Sequence, residues 1–305
     1  MEKHISVLLE EAINYLDIKD GGVYVDMTLG YGGHSSEILK RNKKGLLYCF
    51  DKDIDAIDYS NKRLKQIGNN YKIFNTGFVN IKDHVTENVD GILFDLGVSS
   101  VELDEKERGF SYMKDAILDM RMDQNSTLTA KDVVNKYSVE DLTRIFRQYG
   151  EEKHAMKIAN KIEEYRKTKE IKTTLELVDI IDKCIPYKEK RTSHPAKKVF
   201  QAIRIEVNNE LGEFEKALKD SLSLLKVGGV IVVITFHSLE DRICKKIFKE
   251  VSEIDPLIKG MPNMDKSLYP DYELVTKKAI EPTLEEINHN SRAKSAKMRV
   301  IKKIK

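Results

Sequence analysis

The chain has few cysteines and no long apolar run. Its three cysteines, Cys49, Cys184 and Cys244, are far apart, and none belongs to a C-x-x-C pair. This odd, unpaired set predicts reduced thiols and a cytoplasmic protein. No run of about 18 apolar residues indicates a membrane span, and the first residues lack the apolar segment of a signal peptide. The histidines and cysteines are not spaced along the chain as the ligands of a zinc site are, so no metal is predicted.

Neither sign of charge predominates, because 52 Lys and Arg residues stand against 50 Asp and Glu, for a net charge of +2. The total therefore says nothing about nucleic acid, and the distribution matters more. The last fifteen residues hold seven Lys or Arg and no acid, and residues 186–205 hold six against one Glu. These segments suit RNA phosphates, although an ordinary solvated surface would look the same.

Short apolar runs alternate with helical patterns in the first third of the chain. The runs cover residues 23–27, 46–50, 71–75 and 89–94, and each is followed by polar residues. After Asp53, a suitable N-cap, apolar residues recur at helical spacing through Ile67. This alternation predicts a parallel sheet with helices on both faces.

The alternation stops near Leu103 and returns near residue 210. The intervening residues show helical spacing and no clear strand. Beyond them we predict a helix that stops at Gly228 and Gly229, a strand over 230–236, and closing strands over 272–276 and 298–304. The predicted domains are therefore 1–103 with 210–305, and a mostly helical insertion over 104–209.

A glycine-rich turn follows the first predicted strand, from Asp26 to Ser35. In an open α/β sheet, ligands bind beyond the carboxyl ends of the strands, and glycines let the backbone approach them closely. Asp51 ends the second strand, where a carboxylate can accept hydrogen bonds from both ribose hydroxyls. Asp95 ends the fourth strand, facing the same crevice. Each feature alone also has a purely structural explanation. The glycines could form an ordinary tight turn, Asp51 could cap the next helix, and Asp95 could be a loop carboxylate without a special role.

The glycine spacing is neither G-x-G-x-x-G nor that of a P-loop. NAD-linked dehydrogenases share the glycine turn and the strand-end acid, but they have a second nucleotide-binding half that this chain lacks. The three features together are typical of class I methyltransferases.

The motifs resemble those of the bacterial 16S ribosomal RNA cytosine-N4 methyltransferases known as RsmH or MraW. The resemblance covers nearly the whole chain. It is carried by strings that include His4-x-Ser6-Val7-Leu8-Leu9-x-Glu11, Asp26-x-Thr28-x-Gly30-x-Gly32-Gly33-His34-Ser35, Asp95-Leu96-Gly97-Val98-Ser99-Ser100, Phe200-Gln201-Ala202-Ile203-Arg204 and Phe236-His237-Ser238-Leu239-Glu240-Asp241.

The resemblance implies an α/β fold: a Rossmann-like class I methyltransferase sheet with an inserted, mostly helical second domain. It implies S-adenosylmethionine as cofactor and the decoding region of small-subunit ribosomal RNA, free or in the 30S subunit, as partner. DNA and membranes are not expected partners. The cofactor contacts implied at matching positions are Gly32, Gly33, His34, Asp51, Phe78, Asp95 and Glu102.

Two positions depart from the family pattern. Glu102 stands where the family has Gln, so the amide donors are absent and only an acceptor remains. A lysine, Lys197 or Lys198, replaces the Arg of the His-Pro-Ala string, which keeps the charge but loses bidentate geometry.

Cytosine N4 is a poor nucleophile, because its lone pair is delocalised into the ring. A carboxylate beyond the fourth strand could accept the hydrogens of the amine, and orientation would supply much of the rate. We predict Asp95, His237 and Asp241 as catalytic residues. The target base must be unpaired or flipped, with basic residues on its phosphates. The predicted substrate residues are Arg191, His194, Lys197, Lys198, Arg204, Arg292 and Lys294.

Two other functions suit the same sequence. One is a class I methyltransferase acting on a protein or a metabolite. The other is a non-catalytic RNA-binding assembly factor that retains a nucleotide pocket. The basic segments favour RNA over a metabolite, and the intact glycine turn with Asp51 favours turnover.

Overall fold

The structure, a computed structural model, describes residues 6–97, 108–190, 194–254 and 268–305. The chain divides into two compact units, the first formed by 1–97 with 211–305 and the second by 98–210. We call them the sheet unit and the helical unit. The assignment of these units to cofactor and RNA binding stays a prediction.

The sheet unit contains seven strands. In chain order they are β1 (Val23–Asp26), β2 (Leu46–Asp51), β3 (Tyr71–Asn75), β4 (Val89–Asp95), β5 (Leu225–Thr235), β6 (Tyr272–Leu274) and β7 (Lys297–Lys303). They lie in the order β3-β2-β1-β4-β5-β7-β6. The first five are parallel, whereas β7 is antiparallel to both β5 and β6. The predicted α/β Rossmann-like fold class is confirmed.

Helices connect and cover these strands. In chain order, those in the described residues are α1 (Leu9–Leu16), α2 (Gly33–Arg41), α3 (Ile54–Leu64), α4 (Ile81–His84), α5 (Ala130–Lys136), α6 (Val139–Gln148), α7 (Ala155–Arg166), α8 (Thr174–Asp182), α9 (Tyr187–Lys190), α10 (Lys197–Asn208), α11 (Glu210–Leu224), α12 (Ser238–Ser252) and α13 (Leu284–His289). Short 3-10 helices cover Phe78–Asn80 and Ser291–Ser295. None of these helices combines the length and apolarity needed to cross a bilayer.

Both faces of the sheet are buried, because successive side chains of a strand point to opposite sides. In β2, Leu47 and Cys49 belong to one core cluster, and Tyr48 and Phe50 belong to the other. This explains why the strands read as continuous apolar runs rather than alternating ones. The free thiols of all three cysteines are buried.

The predicted helix stop at Gly228 and Gly229 is wrong. α11 ends at Leu224, and both glycines lie within β5. They occupy an irregularity in the pairing with β4, where Val89 faces Leu225 but Gly91 faces Val230. Gly228 has a φ of +88°, a conformation that glycine adopts without strain.

The helical unit has its own apolar core. Leu142, Ile145 and Phe146 of α6 are fully buried in it, as their spacing predicts. In α8, Leu177, Ile180 and Ile181 face the core, whereas Leu175 is 40% exposed. Thr129 and Thr173 begin α5 and α8 with reciprocal capping boxes.

Candidate active site

Three aspartates end three neighbouring parallel strands. Asp26 ends β1, Asp51 ends β2 and Asp95 ends β4. Strand β1 lies between the other two in the sheet, and Asp26 pairs in register with Cys49 of β2 and Leu93 of β4. The carboxylates are therefore brought to one edge of the sheet, which is where α/β folds bind their ligands.

Backbone conformation or close neighbours favour glycine at each glycine of the turn after β1. Gly30 and Gly32 have φ of +48° and +73°. A Cβ on Gly32 would lie 3.1 Å from Oγ of Ser60, and one on Gly33 would lie 1.9 Å from Oγ of Ser6. The Ser60 hydroxyl also donates to the carbonyl oxygen of Gly30 at 2.6 Å, which holds the turn against α3. The backbone can thus approach a ligand closely.

Asp51 is fixed by two backbone donors. Its Oδ2 accepts from the amide of Gly30 at 2.7 Å, and its Oδ1 accepts from the amide of Asp53 at 2.9 Å. Burial raises the pKa of Asp51 to about 6. The two hydrogen bonds lower the pKa, but the effect of burial is larger. Each carboxylate oxygen retains acceptor capacity for a further donor, such as a ribose hydroxyl.

Asp95 lies beside His34 at the start of α2. Nδ1 of His34 is 3.5 Å from Oδ2 of Asp95, and the two side chains are 5% and 18% exposed. The amide of Asp95 donates to Oγ1 of Thr28 at 2.7 Å, which ties the end of β4 to the glycine turn. The same turn therefore contacts both Asp51 and Asp95.

One oxygen of Asp95 is available to a ligand. Its Oδ1 is buried and has no hydrogen-bond partner among the described residues. Burial raises the pKa of Asp95 well above its ordinary value, and the charges of Asp26 and Glu240 raise it further. A buried acceptor without a donor is costly, and a ligand that supplied a cation or an N–H would relieve that cost.

The sequence interpretation missed Asp26 and Thr28 as functional residues. Asp26 is 1% exposed, and it accepts from the Ser35 hydroxyl at 2.6 Å and from the Thr28 amide at 3.1 Å. Its burial also raises its pKa. The signal for Asp26 was present, since it ends a strand as Asp51 and Asp95 do. Thr28 lies in the string that resembles the family, but no sequence pattern indicates that its hydroxyl accepts from a backbone amide distant in sequence.

Phe78 follows β3 at the same edge. It is half-buried, and its ring meets that of Phe94 edge to face, with centroids 5.9 Å apart. Nearby, a Cβ on Gly77 would lie 2.5 Å from Cε of Lys52, whose ammonium pairs with Glu213 at 2.6 Å. Contact between Phe78 and an adenine ring stays a prediction, as does the role of Glu102, which lies outside the described residues.

His237 and Asp241 begin α12, just after β5. His237 is the N-cap, and it forms a reciprocal capping box with Glu240, whose Oε1 is 3.1 Å from the His237 Nε2. Asp241 instead faces β7, where its two oxygens accept from Arg299 at 2.7 and 3.1 Å. This ion pair was not predicted, and it gives Asp241 a contact inside the fold.

The predicted substrate residues occupy several environments. Lys197, Arg292 and Lys294 are exposed. Lys198 donates to the carbonyl oxygen of Glu151 at 2.9 Å. His194 stacks on Tyr112, with ring centroids 4.4 Å apart. Arg191 lies outside the described residues.

Arg204 differs from the other basic candidates. Its guanidinium donates twice to Glu210, at 2.8 and 2.9 Å, and only 16% of its side chain is exposed. A phosphate would have to compete with this carboxylate for the same donors.

The residues at this edge fit S-adenosylmethionine. The crowded glycine turn admits a close ligand, Asp51 presents acceptors for two ribose hydroxyls, and Asp95 presents a buried oxygen that lacks a donor.

A family model, that of the MraW methylase family, matches residues 1–304. The chain belongs to this family. The ribosomal RNA small subunit methyltransferase H of Streptococcus mutans is 52% identical over 99% of this chain and 98% of its own length. The protein of the same name from Streptococcus pyogenes is 50% identical over the same shares. The solved rRNA methylase of Streptococcus thermophilus aligns over 97% of this chain and 94% of its own, with 12% identity and a TM-score of 0.43, from which we infer nothing.

Family membership confirms the resemblance predicted from the sequence. It also confirms the predicted methyltransferase activity and S-adenosylmethionine as the methyl donor. The roles of individual site residues stay predictions.

Proposed function

We propose that the protein transfers a methyl group from S-adenosylmethionine to N4 of a cytosine in the decoding region of small-subunit ribosomal RNA. The named relatives at 50–52% identity support ribosomal RNA as the substrate. The observation that carries the chemistry is the buried Oδ1 of Asp95, which has no hydrogen-bond partner among the described residues.

Bound S-adenosylmethionine would supply an electrophilic methyl group on a sulfonium. Asp95 would then accept a hydrogen bond from the exocyclic amine, which localises the nitrogen lone pair for attack, and it would take the proton that the nitrogen loses on methylation. Thr28 accepts a hydrogen bond from the backbone of Asp95, and His34 lies 3.5 Å from its second oxygen. Holding the amine in line with the methyl group would supply a large part of the rate.

Asp51 would bind the ribose through its two oxygens, oriented by the Gly30 and Asp53 amides. His237 would help to place the base, since its ring is held by Glu240 at the carboxyl end of β5. We further propose that the exposed Lys197, Arg292 and Lys294 hold RNA phosphates.

The test is methyl transfer in vitro to small-subunit ribosomal RNA, given both free and within 30S subunits. Nuclease digestion and mass spectrometry then locate the methyl group. We expect one N4-methylcytidine in the decoding region. Methylation at another atom or another RNA would contradict the proposed target, and no transfer to either substrate would contradict the proposed function.

A further inference from the structure

The helical unit carries a basic groove outside the site described above. The groove lies along α7 and the end of α8 and has a volume of about 700 Å³. Among the described residues, four lysines and one acid, Glu164, line it. The lysines are Lys153, Lys157, Lys161 and Lys183.

Three of these lysines follow one another along the chain. Lys157 and Lys161 are four residues apart and so lie on one face of α7. Lys153 lies in the turn just before the helix and lines the same groove. The opposite face, with Ile158 and Ile162, is fully buried in the core. Like charges at this spacing destabilise a helix by about 0.2–0.5 kcal/mol, so a bound anion would relieve the repulsion between Lys157 and Lys161.

Acidic partners neutralise little of this charge. Lys161 pairs with Glu164 at 2.8 Å, with 40% of the lysine side chain exposed. Lys157 donates to the carbonyl oxygen of Cys184 at 2.8 Å, which orients its ammonium without cancelling the charge. Lys153 and Lys183 are exposed. The positive end of the α7 dipole adds to the field. His154, the N-cap, makes no side-chain cap hydrogen bond, and its Nε2 lies 3.2 Å from Oε2 of Glu189, an acid beside the groove.

We propose that this groove binds the phosphate backbone of the ribosomal RNA substrate. The inference rests on the proposed function and adds a second contact region to it. Lysine ammonium groups act as point charges that suit phosphates without reading sequence. The groove would therefore increase the affinity for RNA and fix the position of the RNA on the protein, whereas the sheet unit would carry out methyl transfer.

The test is the triple variant K153Q/K161Q/K183Q, which leaves Lys157 in place because of its bond to Cys184. Fluorescence anisotropy measures binding to a small-subunit rRNA fragment containing the target cytosine, between 50 and 200 mM salt. Each lost phosphate contact lowers the slope of log affinity against log salt by about 0.7–0.9, so we expect a decrease of about 2 to 3. KM for RNA should rise on the order of tenfold or more, with kcat and cofactor affinity unchanged.

The matched control, K136Q/K167Q/K172Q, removes three lysines of the same unit whose side chains are 63–75% exposed outside the groove. It should bind as the wild type does. The charge-conserving variant K153R/K161R/K183R should retain wild-type affinity, which separates lost charge from lost folding.

An unchanged salt slope and affinity in the glutamine variant, while the wild-type protein methylates rRNA, would overturn the groove proposal alone. If the wild-type protein neither bound nor methylated rRNA, the proposed function would fail with it. Weakened binding to 30S subunits but not to free rRNA would indicate an acidic protein partner, and it would overturn the phosphate assignment.

Discussion

Asp51 is the residue whose ionisation should control cofactor affinity. Its pKa of about 6 lies above the ordinary range because its carboxylate is buried. Ribose hydroxyls donate to the ionised form, so binding favours loss of the proton. Affinity should therefore increase as the pH rises through about 6 and level off above it, changing by up to about tenfold per pH unit below the pKa.

Isothermal calorimetry with S-adenosylmethionine from pH 5 to 8 measures this dependence. Asp51→Asn should bind on the order of 10- to 100-fold more weakly at pH 8, since hydrogen bonds to charged groups are lost, and its pH dependence should be shallower. The control Asp55→Asn removes an exposed carboxylate nearby and should leave affinity within about twofold. Unaltered affinity in Asp51→Asn would contradict the ribose contact.

Thr28 positions Asp95 through one hydrogen bond. Thr28→Val keeps the shape of the side chain but removes the acceptor for the Asp95 amide. A buried donor without a partner costs about 1–3 kcal/mol, so the free energy of unfolding in urea should fall by that amount. The value of kcat should fall as well, because the carboxylate loses its position. Thr28→Ser keeps the hydroxyl and should retain most of the stability and most of kcat. Equal losses in Thr28→Val and Thr28→Ser would contradict the proposal that the Thr28 hydroxyl positions Asp95.

Single residues were predictable where a pattern marked them. Asp51 and Asp95 stood out because polar residues follow apolar runs at the ligand-binding edge, whereas Asp26, which ends β1 in the same way, was missed. Thr28 and the pairing of Asp241 with Arg299 were not predictable, since both contacts join residues about 60 positions apart or more.

At the scale of elements, the Asp241–Arg299 pair joins α12 to β7. Both side chains are largely buried, at 16% and 15% exposed. Asp241→Asn and Arg299→Gln should each destabilise the fold, and a double-mutant cycle in urea should give a coupling energy of about 1–3 kcal/mol. Both variants should lose similar activity if the pair serves only the fold. A far larger loss of kcat in Asp241→Asn than in Arg299→Gln would instead support the predicted catalytic role.

The glycines of β5 show where element boundaries escape a sequence pattern. Gly228 and Gly229 after a helical pattern are typical of a helix end, but the helix ends four residues earlier and the strand absorbs the glycines at an irregularity. Local sequence propensity cannot locate this boundary between α11 and β5, because the boundary depends on how β5 pairs with β4.

At the scale of the whole molecule, alternating strands and helices predict one domain over 1–103 with 210–305, and the loss of that alternation predicts a second over 104–209. The chain divides into compact units after residue 97 and after residue 210. Each unit has an apolar core of its own. What the sequence could not supply was the strand order, because it depends on which connections cross the sheet.

The assignment of functions to the two units can be tested by deletion. A chain that joins residue 97 to residue 211 through a flexible Gly-Ser linker should still bind S-adenosylmethionine within about tenfold of wild type. It should lose rRNA binding and methylation, because the helical unit is absent. Loss of cofactor binding in a variant that folds by circular dichroism would show that the cofactor site needs both units.

The role of Asp95 is tested most directly by kcat at saturating S-adenosylmethionine and rRNA. Asp95→Ala should lower kcat on the order of 10²- to 10⁴-fold, and Asp95→Asn should retain more activity because its amide oxygen still accepts a hydrogen bond. Wild-type kcat in Asp95→Ala would contradict the proposal that this carboxylate accepts the hydrogens of the target amine.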